Sequence, residues 1–178
     1  IETQYTEASN QYQQMVEAFG RGDRTRGVTL GDEIRRDHGS SPYADQADLV
    51  VARAMVENSD LPKAVERLTR VMNNSSDTEL RIVARQRLAR VQLARGSPDA
   101  ALATLAAGQP GSFEPRFTET RGDILLAKGD KAGALSAYLV ARGGAITNVV
   151  DGATLDLKIA DLRADGVSTP RAPSQRRE

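Results

Sequence analysis

The sequence has 178 residues, about the length of one ordinary domain, and 39% of them are hydrophobic. With 15 glycines added, this is a normal globular composition that excludes wholesale disorder. The 24 basic residues balance the 24 acidic ones, which argues against a nucleic-acid-binding domain, and no apolar stretch approaches the ~20 residues of a membrane-spanning helix. The lack of cysteine excludes a thiol nucleophile, a disulfide framework and a zinc-thiolate cluster.

Alanine and leucine are abundant, aromatic residues make up 4%, and long β-branched or alternating runs are missing, which predicts an all-α fold. The first predicted hairpin is the least regular. Met15, Gly22 and Gly27 occupy positions that later hairpins fill with a small residue, a turn residue and a second small residue. Three glycines, Gly22, Gly27 and Gly31, would each cost ~1 kcal/mol relative to alanine inside the second helix, so this helix should be short or stabilised by packing.

The second predicted hairpin begins 37 residues later. Ala52 and Ala64 lie twelve residues apart, with Ser59 at the turn and Asp60 as the helix cap. The third hairpin begins a further 37 residues on. A polar loop over 73–76 accounts for the excess of this spacing over the 33-residue period of the later hairpins.

The third and fourth predicted hairpins match each other at an offset of 33 residues. The aligned pairs are Ala89 with Gly122, Gly96 with Gly129, Ser97 with Asp130, and Ala101 with Ala134. Such fixed-period similarity is typical of a helical solenoid, and a large side chain at the small positions would separate the two helices. The spacing resembles the tetratricopeptide repeat, which has small residues at its eighth and twentieth positions and often glycine at its fifteenth.

The segment 147–164 is predicted to be one more helix that covers the last repeat, with Gly166 ending it. The expected organisation is therefore a repeat domain over 1–165, with about four hairpins and a capping helix, followed by a flexible tail rich in proline and arginine over 166–178.

The tetratricopeptide resemblance implies that the first helices of the hairpins line a concave groove. The groove positions would be held by Gln46, Leu49, Arg53, Val56, Val83, Gln86, Arg90, Leu93, Arg116, Glu119, Asp123 and Leu126. This surface would be apolar at its edges, cationic in the middle and acidic toward its C-terminal end. It is either a site for an extended segment or partner helix, or an ordinary solvated helix face. The Lys and Asn clamp that some tetratricopeptide domains use for chaperone tails is absent.

Catalytic, cofactor and metal-ligand patterns are not found. His38 is the sole histidine and is expected at an exposed helix end, and no nucleophile elbow, phosphate loop or Cys/His metal spacing is present. Arginines cluster in the third repeat. They either form an anion-binding patch or reflect a general preference for arginine over lysine in the composition. They are Arg81, Arg85, Arg87, Arg90 and Arg95.

At a finer level, the stretch 77–141 resembles the YfgM family of bacterial inner-membrane proteins, the ancillary subunits of the Sec translocon. The residues that carry the resemblance lie at 88–92, 99–105, 121–131 and 133–138, and the N-terminal part fits more loosely. The resemblance implies a non-enzymatic scaffold whose partners are the SecYEG channel and a membrane-anchored periplasmic isomerase-like chaperone. It also implies a periplasmic domain whose single-pass anchor lies upstream of Ile1. The alternative is a regulatory repeat protein that sequesters a stress-signalling component.

Overall fold

The computed structural model describes residues 2–144 and 150–170, and these residues form nine α-helices and no strand. The helices are α1 (Glu2–Gly20), α2 (Arg24–Asp37), α3 (Pro42–Glu57), α4 (Leu61–Asn74), α5 (Thr78–Ala94), α6 (Pro98–Ala106), α7 (Glu114–Ala127), α8 (Lys131–Gly143) and α9 (Gly152–Ala164), with a short 3-10 turn at Gly111–Phe113 before α7. The all-α fold is thereby confirmed for the described residues.

The chain divides into two compact units, Ile1–Arg95 and Gly96–Glu178. In the N-terminal unit, α1 packs on α2 and α3 packs on α4, so the two predicted hairpins are present, and α4 also packs on α5. In the C-terminal unit, α7 and α8 form a hairpin, α6 packs on α7, and α9 packs on α8. The helices of the third predicted hairpin, α5 and α6, fall on either side of the division.

The predicted turn positions share one backbone conformation. Gly22, Gly96 and Gly129 have φ of 78°, 77° and 86°, and Ser59 has φ of 60° at the corresponding place in the second hairpin. A left-handed residue lets the next amide reach back to the helix that has just ended. At Ser59 the amide of Asp60 donates to the carbonyl of Met55 at 2.8 Å. Serine therefore performs here the role for which glycine is the unstrained residue.

The small residues lie where paired helices approach most closely. Ala64 and Ala134 are fully buried, and a methyl group at Gly122 would lie 2.5 Å from Cε1 of Tyr138. A methyl group at Gly27 would lie 2.7 Å from the ring of Phe19. The glycines of the first hairpin thus permit close helix packing, as expected from the sequence, and α2 still extends over 14 residues.

Aspartates begin several helices. Asp23 accepts from the amide of Arg26, and Asp130 accepts from the amide of Gly133. Asp60 and Ser97 occupy the predicted N-cap positions but make no capping hydrogen bond through their side chains. Asp60 instead pairs with Lys63 at 2.9 Å.

The predicted start of the last helix was wrong. Residues 147–149 lie outside the described part of the chain, and α9 begins at Gly152 because Asp151 caps it by accepting from the amide of Ala153 at 3.0 Å. Gly166 ends the helix as predicted, with φ of 78°. Val167 still packs against the core of the C-terminal unit. Residues 171–178 lie outside the described part, so the flexible tail stays a prediction.

Candidate protein-binding faces

The first helices of consecutive hairpins are neighbours in the N-terminal unit, where α1 contacts α3 and α3 contacts α5. The rings of Tyr12 on α1 and Tyr43 on α3 lie 5.6 Å apart between centroids, at an angle of 45°. Burial, together with the neighbouring Tyr43, raises the pKa of Tyr12. The three helices therefore form a continuous layer, whose groove positions follow from the repeat register.

We call the residues at the groove positions of α1, α3 and α5 the N-terminal face. From the sequence-predicted set it contains Gln46, Leu49, Arg53, Val56, Val83, Gln86, Arg90 and Leu93. Arg53, Val56 and Arg90 are exposed, whereas Gln46, Val83 and Leu93 are partly buried. Leu49 and Gln86 are buried. Leu49 and Gln86 therefore lie beneath the surface. A partner could contact the exposed residues, Arg53, Val56 and Arg90.

The sequence reasoning missed the contribution of α1 to this face. Counting back one repeat from α3, the same four positions are held by Ser9, Tyr12, Val16 and Phe19. Val16 is 45% exposed, so its aliphatic side chain is accessible on this face. The placement of Met15 at the eighth position of the first repeat was the signal that could have found them.

A buried ionic cluster fixes α3 against its neighbours. The side chain of Asp48 is fully buried. Its carboxylate forms ion pairs with three guanidinium groups, those of Arg35 at 2.8 Å, Arg67 at 3.0 Å and Arg70 at 3.2 Å, and it accepts hydrogen bonds from the last two. Because Arg35 is on α2 and the other two are on α4, the cluster joins three helices. No sequence motif pointed to Asp48.

We call the predicted groove residues of α7 the C-terminal face: Arg116, Glu119, Asp123 and Leu126. Glu119 and Asp123 do come together, but they bind a side chain of their own unit. Nζ of Lys158 on α9 donates to Oε1 of Glu119 at 2.9 Å and to Oδ1 of Asp123 at 2.8 Å. Arg116 and Leu126 are exposed.

Tyr138 completes the surroundings of that lysine. Its hydroxyl donates to Oδ1 of Asp123 at 2.7 Å, and Nζ of Lys158 lies 5.2 Å from its ring centroid. Burial, and then the hydrogen bond to Asp123, raise the pKa of Tyr138 far above its ordinary value. Burial opposes the charge on Lys158, but its hydrogen bonds to Asp123 and Glu119 outweigh this effect and raise its pKa. Both shifts favour the protonated forms, in which the cluster is hydrogen-bonded.

The clustered arginines of the third repeat point in several directions. The guanidinium of Arg81 donates to the carbonyl of Met72 at 3.3 Å, whereas Arg90 belongs to the N-terminal face. Nε of Arg85 is buried without a hydrogen-bond partner within the described residues. The anion-binding patch stays a prediction.

His38 is the C-cap residue of α2 and is partly exposed, close to the expected helix end. Within residues 2–144 and 150–170, no three His, Cys, Asp or Glu side chains are arranged to hold a metal ion. No helix in these two ranges combines the length and the apolar character needed to cross a membrane.

These features define a tetratricopeptide-like repeat protein. Its helical hairpins have small residues at their crossings and left-handed turns between their helices, and successive first helices form one face. Residues 1–164 match the family described as tetratricopeptide repeat-like domain. A crystal structure of the nearly identical TPR-like repeats of a protein assigned as a kinesin light chain from Podosopora anserina superimposes with a TM-score of 0.67. It is 16% identical and the match covers 91% of this chain and 88% of that one, so it supports the fold alone.

Relatives of known name give a closer assignment. The chain is 34% identical over 131 residues to the ancillary SecYEG translocon subunit of Escherichia coli, covering 74% of this chain and 63% of that protein. It is 33% identical over 138 residues to the protein of the same name from Aggregatibacter actinomycetemcomitans, covering 78% of this chain and 67% of that one. The chain belongs to the tetratricopeptide repeat-like family and, within it, to the family of ancillary SecYEG translocon subunits. It spans about two thirds of the length of these relatives.

Proposed function

We propose that this chain is the repeat domain of a non-enzymatic scaffold ancillary to the SecYEG translocon, on the periplasmic side of the bacterial inner membrane. In this role it links newly exported proteins to a membrane-anchored, isomerase-like chaperone. The observation that carries the proposal is the name shared by relatives that are 29% to 34% identical over most of the chain.

The fold supports binding rather than chemistry. A layer of first helices offers a broad surface. At its groove positions on α3 and α5, the exposed residues are an aliphatic side chain and two arginines, namely Val56, Arg53 and Arg90. Arginine and apolar side chains together suit a protein interface, where arginine is enriched relative to lysine. We therefore assign partner binding to the N-terminal face.

Site-specific crosslinking in cells tests this assignment. A photoreactive phenylalanine analogue placed at position 56 or 90 of the full-length protein should crosslink to a SecYEG subunit or to the periplasmic chaperone. Position 157 is the matched control, because Leu157 is 68% exposed on α9 and lies outside both faces.

Crosslinks to these partners from positions 56 and 90, and fewer from position 157, are the expected result. If the protein accumulates normally and neither face position captures a translocon subunit or the chaperone, the proposal is wrong.

A further inference from the structure

The charges of the N-terminal face have one sign. Its twelve positions on α1, α3 and α5 contain two charged residues, Arg53 and Arg90, and no carboxylate. Both arginines occupy the same repeat position on adjacent helices, and the equivalent residue of α1 is the exposed Val16. The face thus presents an aliphatic part on α1 and a cationic part on α3 and α5.

The cationic part is poorly neutralised within the protein. All seven arginines of α2, α3 and α4 form ion pairs with carboxylates of their own unit. Arg90 on α5 forms no such pair within the described residues. Arg53 pairs with Glu57 at 3.0 Å, but its side chain is 79% exposed, so this pair is solvated and weak.

In the C-terminal unit, the charge at the equivalent repeat position is neutralised within the unit. Its counterpart of Arg53 and Arg90 is Asp123, and Lys158 of the same unit donates to it at 2.8 Å. That charge is satisfied internally, whereas the charge of Arg90 is left for a group outside the N-terminal unit.

We propose that the N-terminal face recognises an acidic segment of a protein partner, in which carboxylates recur at about every third position and apolar side chains lie between them. This inference rests on the proposed function and names the chemistry of the partner. Adjacent packed helices lie about 8–10 Å apart, and a segment in the polyproline II conformation advances about 3.1 Å per residue with about three residues per turn. Carboxylates three residues apart in such a segment lie on one side of it, about 9 Å apart, and would therefore reach Arg53 and Arg90 together, with apolar side chains against the exposed Val16 and Val56.

The exposed aliphatic residues favour a protein segment over an acidic lipid surface. A lipid surface attracts clustered basic charge, and the two arginines stand on a face that otherwise has amide, hydroxyl, aromatic and aliphatic groups. Acidic lipid is nevertheless a distinct outcome of the test.

The test measures binding of two synthetic twelve-residue peptides to the 178-residue chain by fluorescence anisotropy. One peptide has glutamate at every third position with leucine and valine between, and its counterpart has lysine in place of glutamate. The glutamate peptide should bind about tenfold more tightly than the lysine peptide, a difference of about 1.4 kcal/mol.

Three variants make the test specific. The double variant R53E and R90E should reverse the preference between the peptides. The variant E57Q should strengthen binding of the glutamate peptide, because it removes a competing carboxylate from Arg53. The control R121E changes an exposed arginine of α7 outside both faces and should leave binding unchanged.

Equal binding of the two peptides, or a preference that survives the double reversal, overturns the inference. Binding to vesicles containing phosphatidylglycerol, lost on the double reversal, without binding to the glutamate peptide also overturns it, in favour of a lipid surface. If crosslinks from positions 56 and 90 to the translocon or chaperone persist in either case, only the partner chemistry is wrong, and the scaffold function stands.

Discussion

The free energy of unfolding of the N-terminal unit is expected to depend strongly on Asp48. Its buried carboxylate is within 3.2 Å of guanidinium nitrogens from Arg35, Arg67 and Arg70. Replacing it by asparagine keeps the shape but removes the charge, and leaves three cations at one buried point. Loss of one partner from a buried ionic cluster typically costs about 3–5 kcal/mol.

The lower end of that range applies because each arginine has a second carboxylate. Arg35 also pairs with Asp45, Arg67 with Asp32, and Arg70 with Glu66. We therefore expect D48N to lose about 3 kcal/mol, and the melting temperature to fall by about 6–12 °C for a chain of this size.

Urea unfolding followed by circular dichroism measures the loss, and hydrogen exchange locates it. Exchange should rise in α2, α3 and α4 and stay unchanged in α7, α8 and α9. The matched control is D156N, because Asp156 pairs with Arg142 on the surface, where its side chain is 58% exposed. That control should change stability by less than about 0.5 kcal/mol. A similarly small effect of D48N, or an effect spread evenly over both units, would refute the reasoning.

Two further predictions concern single positions. S59G should stabilise the protein by about 1 kcal/mol, because serine holds φ at 60° where glycine is unstrained, and a chemical denaturation midpoint that does not increase would contradict this. Folding raises the pKa of Lys158 and of Tyr138, so their protonated forms stabilise the folded protein. This contribution to the free energy of unfolding is fully present below about pH 10, the ordinary pKa of both groups, and it is lost as the pH rises through their pKa values in the folded protein. The stability difference between the natural chain and K158Q, measured by urea unfolding, should therefore be constant from about pH 7 to 9 and shrink above about pH 10, whereas a difference that grows above pH 10 would contradict the assignment.

The local parts of this fold could be predicted from the sequence because each is decided within one hairpin. A left-handed turn needs glycine or a tolerated substitute, and a close helix crossing needs a small residue, so Gly129, Ser59 and Ala134 were identifiable from spacing alone. The start of α9 was missed by several residues because apolar spacing does not show where a helix is capped. Asp151 decides that position.

The charge pairs could not be predicted, since their partners are remote in the chain and their choice depends on packing. Asp48 meets Arg67 across 19 residues, and Asp123 meets Lys158 across 35 residues. From the sequence, Asp123 and Arg90 are equivalent groove positions of two repeats. Tertiary structure gives one of them an internal partner and leaves the other without one in the described residues.

That difference bears on where partner recognition can occur. A solenoid must cover the last of its stacked repeats, and in the C-terminal unit α9 does so. Its lysine binds both acidic residues of the C-terminal face, and the hydroxyl of Tyr138 binds one of them. A basic partner of the C-terminal face would have to displace Lys158 and break a half-buried, hydrogen-bonded cluster. An acidic partner of the N-terminal face would have to displace only one exposed glutamate from Arg53, and no carboxylate from Arg90. The energetic barrier to binding is therefore lower at the N-terminal face, and the acidic residues of α7 act chiefly to hold the capping helix.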